Sequence, residues 1–217
     1  MADLIADPFR AARLVLSLRR QGITDDAVLT ALETVDRGAF VAPDLAGMAT
    51  EDCALPIACG QSIARSIVTA KLLRALAVSP GKQSRILLVG SGSGYIAALL
   101  AQISRHVYGV ERYARLADTS RARLKDLKVE NVTIKHGDGL VGLPEQGPFD
   151  RILLTGSIKT IPATLMDQLH KDGILVAALV QSDGSQVLRS VTSKKMVADE
   201  ALPEPLAPLT TGVSLAL

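Results

Sequence analysis

The stretch RILLVGSGSGYIAALLA, residues 85–101, limits the possible folds more than any other part of the chain. Ile86, Leu87, Leu88 and Val89 run into Gly90, and Gly92 and Gly94 follow at alternate positions. Tyr95 then opens a run of good helix formers. An apolar run without alternation reads as a strand buried on both faces. Glycines after it let the backbone come close to another group with no Cβ between. Strand, glycine turn and helix in that order form the opening unit of an open α/β sheet.

The second half of the chain repeats this alternation. Strand-like runs occupy 85–89, 106–110, 132–135, 151–154 and 174–179, and helix-like runs occupy 95–103, 113–127 and 163–170. A further strand is expected at 186–191, then the Pro-rich LPEPLAPL, then a last strand at 210–216. The pattern predicts an α/β fold: a doubly wound, mostly parallel sheet of about seven strands with helices on both faces. Before it lies a helical extension over residues 7–42, interrupted at Gly22, a natural helix stop. Thr24 is the expected N-cap of its second helix, whose apolar face is Val28, Leu29, Leu32 and Val35. Residues 43–65 read as loop, and the helical pattern resumes in RSIVTAKLLRALAVSPG. The 217 residues suit one domain, with N-terminal helices and a loop over 1–80, a core over 81–180 and C-terminal strands over 181–217.

Composition removes several classes. The 24 basic and 22 acidic residues give a charge of only +2, which argues against a nucleic-acid partner. Aromatics are 3% of the chain and Trp is absent, so aliphatic residues and Ala must fill the core. The apolar run 174–180 is seven residues, far below the roughly 20 that span a bilayer. The N-terminus does not read as a signal peptide, so the chain is expected in the cytoplasm. Cys53 and Cys59 lack a zinc-site spacing and read as two small packed thiols, and no metal is implied.

Two carboxylates fall where an open α/β sheet binds ligands. Glu111 follows Gly90 by 21 positions at the end of the second strand, where a carboxylate can take both hydroxyls of a ribose. Asp138, between Gly137 and Gly139, ends the third strand and could accept from the exocyclic amine of adenine. Two cofactors fit this far, a dinucleotide and S-adenosylmethionine. The dinucleotide pattern G-x-G-x-x-G/A, read from Gly90, puts Tyr95 at its third position and fails. A shorter loop suits a ligand with no pyrophosphate to wrap.

From about residue 15 to about residue 180 the chain resembles the protein-L-isoaspartate O-methyltransferase family. The resemblance lies in RRQGITDDAVLTALETVDRGAFV, EDCALPIACGQSI, VGSGSGYIAALLA, VERYARLA, NVTIKHGDGLVGLPEQGPFDRILLTGS and IPATLMDQLHKDGILVAAL, in that order. It implies a Rossmann-like fold, S-adenosylmethionine as cofactor, and methylation of the carboxylate of isoaspartyl residues in damaged proteins or peptides. Gly90, Ser91, Gly92, Gly94 and Tyr95 would then line the cofactor's methionine end. Glu111 with Arg112 would meet the ribose, and Asp138 with Gly139 the adenine side. Asp52, Gln61, Ser62 and Ala64 would form the catalytic, substrate-side wall. The family's active-site serine is here Ala64, its first proline of Pro-Leu-Pro is Ala54, and the following glycine is Ala58. All these departures fall on the substrate side. They leave open whether Ser62 or Ser66 supplies the hydroxyl, or whether another acceptor, or none, is methylated.

Overall fold

The computed structural model describes residues 9–78 and 83–214. Its first elements are helices α1 (Arg10–Arg20) and α2 (Asp26–Thr34), then 3-10 turns at Arg37–Phe40 and Pro43–Met48. Asp25, not Thr24, caps α2: its carboxylate accepts from Val28 N at 3.0 Å. The expected loop carries a two-stranded hairpin, β1 (Leu55–Pro56) with β2 (Ser62–Ile63), and leads into α3 (Ser66–Ala75).

The strand–turn–helix alternation follows as expected: β3 (Arg85–Val89), α4 (Tyr95–Ile103), β4 (His106–Glu111), α5 (Ala114–Asp126), β5 (Val132–His136) and β6 (Phe149–Ile158). The short helix α6 (Ala163–Met166) precedes β7 (Leu169–Val180), β8 (Gln186–Val191) and β9 (Met196–Ala201). The seven-stranded sheet has the order β5-β4-β3-β6-β7-β8-β9. Strands β5 to β7 in that order are parallel, while β8 and β9 run antiparallel. The strand order reverses at β3, which lies between β4 and β6, and ligands bind open sheets at such a switch point.

Side chains of β3 alternate between two cores. Ile86 and Leu88 join α1–α5 on one face, while Leu87 and Val89 join Leu165 of α6, Phe149 and Leu175 on the other. Each fully buried leucine here is worth roughly 1.5–3 kcal/mol of transfer free energy. The N-terminal helices are therefore part of the larger core, with α2 packed on α1, α3 and α4.

Two sequence expectations need correction. The helix expected over 163–170 stops at Met166, because Gln168 turns its amide inward. Its Oε1 accepts from Leu143 N, its Nε2 donates to Val141 O and Thr164 O, and Phe149 N already takes its carbonyl. The last strand is β9, not 210–216. Residues of β9 are nearly all exposed, so no alternation of apolar residues marks it. Within 210–214, Ser214 makes only an isolated bridge to Tyr113, and residues 215–217 lie outside the described range.

Candidate active site

At the carboxyl ends of β3, β4 and β6 lies a cavity of about 530 Å³, a size suited to a small-molecule ligand. Gly90, at φ +81°, starts the turn after β3, and a Cβ there would lie 2.6 Å from Thr155 Oγ1. The turn is held by Gly90 N and Ser91 N, which both donate to Val110 O, and by Thr155 Oγ1, which donates to Gly90 O at 2.7 Å. Gly94, at φ +93°, is the N-cap of α4, and a Cβ there would strike Ser120 Oγ of α5. Gly90, Ser91 and Gly92 thus face the cavity, while Gly94 faces a neighbouring helix.

Glu111 ends β4 at 4% exposure and borders the same cavity. Its Oε2 accepts from Gly92 N at 2.7 Å and its Oε1 from Tyr113 N at 3.0 Å. The carboxylate therefore ties the glycine turn to β4, and both oxygens keep further acceptor capacity. Two hydroxyls in the wall are buried with no protein partner, Ser91 Oγ and Tyr95 OH. Tyr95, whose ring lies 5.5 Å from that of Phe40, has its phenol pKa raised by burial. Unpaired buried polar atoms are rare and mark a place for a polar ligand. With a glycine-lined turn and a buried carboxylate, these groups fit the methionine and ribose parts of S-adenosylmethionine.

The adenine-side expectation is altered. Gly139 and Leu140 line the cavity. The Asp138 carboxylate, however, accepts from Leu140 N at 2.9 Å and from Gly212 N at 2.6 Å. Arg112 borders the cavity, lies 5.2 Å over the Tyr113 ring and donates to Thr210 Oγ1.

On the opposite wall, Gln61, Ser62 and Ala64 line the cavity with Ala54 and Ile57. Ser62 is exposed, whereas Ser66 is fully buried outside the cavity, its hydroxyl unpaired. Asp52 faces away: its carboxylate pairs with Arg65 at 2.7 Å and accepts from Ile67 N in the first turn of α3.

One wall escaped sequence reasoning. Residues 204–210 cross the cavity and continue along its rim as a strap. Ser157 O accepts from Leu209 N, Ser157 N donates to Ala207 O, and Ser214 N donates to Arg112 O. Leu209 lies over Gly90 and Gly156, within 3.3 Å of where either Cβ would stand. The only signal was the proline spacing in LPEPLAPL, which favours an extended, locally stiff segment.

A family model described as protein-L-isoaspartate(D-aspartate) O-methyltransferase matches residues 10–209. The chain belongs to the protein-L-isoaspartate O-methyltransferase family. The match reaches past the expected limit near residue 180 and takes in most of the strap. A protein-L-isoaspartate O-methyltransferase of Ruegeria pomeroyi is 42% identical, covering 95% of this chain and 96% of its own. Protein-L-isoaspartate O-methyltransferase 2 of Rhodopseudomonas palustris is 46% identical over 89% of this chain and 88% of its own. Among solved structures, a putative family member from Plasmodium falciparum in complex with S-adenosyl-L-homocysteine superposes with a TM-score of 0.74. It is 27% identical and is covered over 97% of its length, against 91% of this chain. Among the described residues, no helix is long and apolar enough to cross a membrane, and no cluster of three His, Cys, Asp or Glu side chains could hold a metal ion.

Proposed function

We propose that this enzyme methylates the side-chain carboxylate of isoaspartyl residues in damaged proteins or peptides, drawing the methyl group from S-adenosylmethionine. The carrying observation is one cavity lined by Glu111, Ser91 and the glycine turn together with the exposed Ser62. S-adenosylmethionine supplies an electrophilic sulfonium methyl. The acceptor is a carboxylate, ionised at neutral pH, so no residue has to act as a base. In the reaction an O–CH₃ bond forms as the S–CH₃ bond breaks, and a negative and a positive charge cancel. The protein's part is to orient the reactants and to exclude water.

The roles divide between the walls. The turn at Gly90–Gly92 and the Glu111 carboxylate hold the methionine and ribose portions. Gly139 and Leu140 receive the adenine, and Asp138 acts on that side through Gly212 N, which it fastens. Ser62, two residues before Ala64, donates to the acceptor carboxylate in place of the family serine. The apolar side chains of Leu206 and Leu209 shield the transfer from solvent. The thiol of Cys53, outside any disulfide, suits a reducing compartment, and we assign the repair reaction to the cytoplasm.

The deciding experiment is transfer of radiolabelled methyl to an isoaspartyl peptide beside its aspartyl twin. Label is expected in the isoaspartyl peptide alone. Equal labelling of both, or of neither with S-adenosylhomocysteine binding intact, would assign the site to another acceptor.

A further inference from the structure

Arg37 lies outside the cavity and is buried, at 4% exposure. Its guanidinium donates to four main-chain carbonyls. Nη1 reaches Ala49 O at 3.2 Å and Glu51 O at 3.1 Å, and Nη2 reaches Cys53 O at 2.7 Å and Ala64 O at 3.0 Å. Burial lowers its pKa, with Tyr95, Cys53 and Asp52 opposing in that order. Burying a cation against neutral dipoles is costly, and it is tolerated only where the hydrogen bonds are nearly complete.

The four acceptors flank the substrate-side wall. Ala49, Glu51 and Cys53 precede the β1–β2 hairpin and Ala64 follows it. The hairpin pairs only Leu55 with Ile63 and Pro56 with Ser62, too little to be stable alone. Below these pairs Nη2 of Arg37 bonds Cys53 O on one stem and Ala64 O on the other, beside a second tie in which Asp52 pairs with Arg65 and accepts from Ile67 N. Among the described residues no hydrogen bond ties Arg37 to the glycine turn or Glu111, and its neighbour on that side is the Tyr95 phenol.

We propose that Arg37 is the positioning residue of the acceptor wall: by clamping Cys53 to Ala64 it sets where Gln61, Ser62 and Ala64 stand relative to the transferred methyl. This rests on the isoaspartyl reading for its kinetic consequence, though not for the clamp itself. A lysine keeps the charge but has one nitrogen with three donors, so it cannot hold the four carbonyls that the two Nη atoms of the planar fork reach together.

The test compares wild type with Arg37→Lys and Arg37→Gln in three measurements. These are S-adenosylhomocysteine affinity by calorimetry, kcat and KM on an isoaspartyl peptide, and amide hydrogen exchange followed by mass spectrometry. Both variants should keep wild-type product affinity, exchange faster over residues 49–64 but not over β3 and α4, and lose about 100-fold in kcat, the scale of a misplaced reacting group. Unchanged kcat in an active Arg37→Lys enzyme overturns the proposal, as does a parallel loss of product affinity with faster exchange everywhere. If Arg37→Gln fails to fold, Arg37→Lys decides alone. If wild type does not methylate the peptide, the isoaspartyl reading fails, and exchange over 49–64 in Arg37→Lys still decides the clamp: unchanged protection there refutes it.

Discussion

In the proposed site Glu111 joins a backbone duty to a ligand duty in one carboxylate. Each oxygen holds one main-chain N–H, from Gly92 and Tyr113, and each has a lone pair left to accept from a ribose hydroxyl. Glu111→Ala removes both, so S-adenosylhomocysteine affinity measured by calorimetry should fall by roughly 1.5–3 kcal/mol, the worth of hydrogen bonds to a charged group. On the same proposal Ser62 serves the acceptor wall. Ser62→Ala should slow isoaspartyl methylation about 10- to 150-fold with cofactor affinity unchanged, and Ala64→Ser should raise the rate above wild type. Initial rates of the three proteins on one peptide check both expectations. A wild-type rate in Ser62→Ala would return the hydroxyl question to another group. The placement of the glycine turn and Glu111 at the cavity was legible in the sequence, because glycine turns and strand-end carboxylates are spaced by local geometry. Asp52 was misjudged for the converse reason. Its partners, Arg65 and Ile67, follow it by 13 and 15 residues, and no spacing rule says whether a loop carboxylate turns toward a helix end or a cavity.

Among elements, β3, α4, β4 and α5 were readable from periodicity because both faces of those strands are covered. β9 was not. It is an exposed edge strand whose contacts reach α3 through Glu200. The Glu200 carboxylate meets Lys71 Nζ and Arg74 Nη2, joining residues well over a hundred positions apart. Partial burial pushes its pKa up, but the hydrogen bonds from Lys71 and Arg74 outweigh this and hold it below its ordinary value. The sign follows: with the folded pKa depressed, the stabilisation is complete above the unfolded value of about 4.3 and is lost as pH falls through the folded one. Glu200→Gln should cost about 1 kcal/mol near neutrality, since the pair is partly solvated, or about 2–4 °C in Tm for a chain of this size. The gap between wild type and variant, followed by thermal melts from pH 7 downward, should hold to the unfolded carboxylate value and close as pH falls below it through the depressed folded one. A gap independent of pH would assign the effect to shape and not to charge.

At the scale of the whole molecule, the cavity is assembled from three distant regions: the hairpin near residue 60, the strand ends between 89 and 156, and the strap at 204–210. A chain ended after Pro203 keeps all seven strands but loses Leu206 from the edge of the larger core and Leu209, which packs on the smaller core and lies over the turn at Gly90. Such a protein should retain native circular dichroism and melt cooperatively, yet lose most of its affinity for S-adenosylhomocysteine. Undiminished affinity would show the strap to be a bystander. The strap was illegible in sequence for a physical reason. Its bonds go to scattered partners, Ser157, Gln186, Asp138 and Arg112, so it has neither the period of a helix nor that of a strand.

The strap also has a consequence for biosynthesis. Every other wall of the cavity precedes residue 204, so on the ribosome the pocket stays unfinished after the sheet strands have been made. A growing chain can pair β3 with β4 and β6 and still offer a ligand only an open trough. Binding energy from the cofactor therefore arrives too late to guide the folding of the sheet, and chains released early by a stalled ribosome would not sequester S-adenosylmethionine.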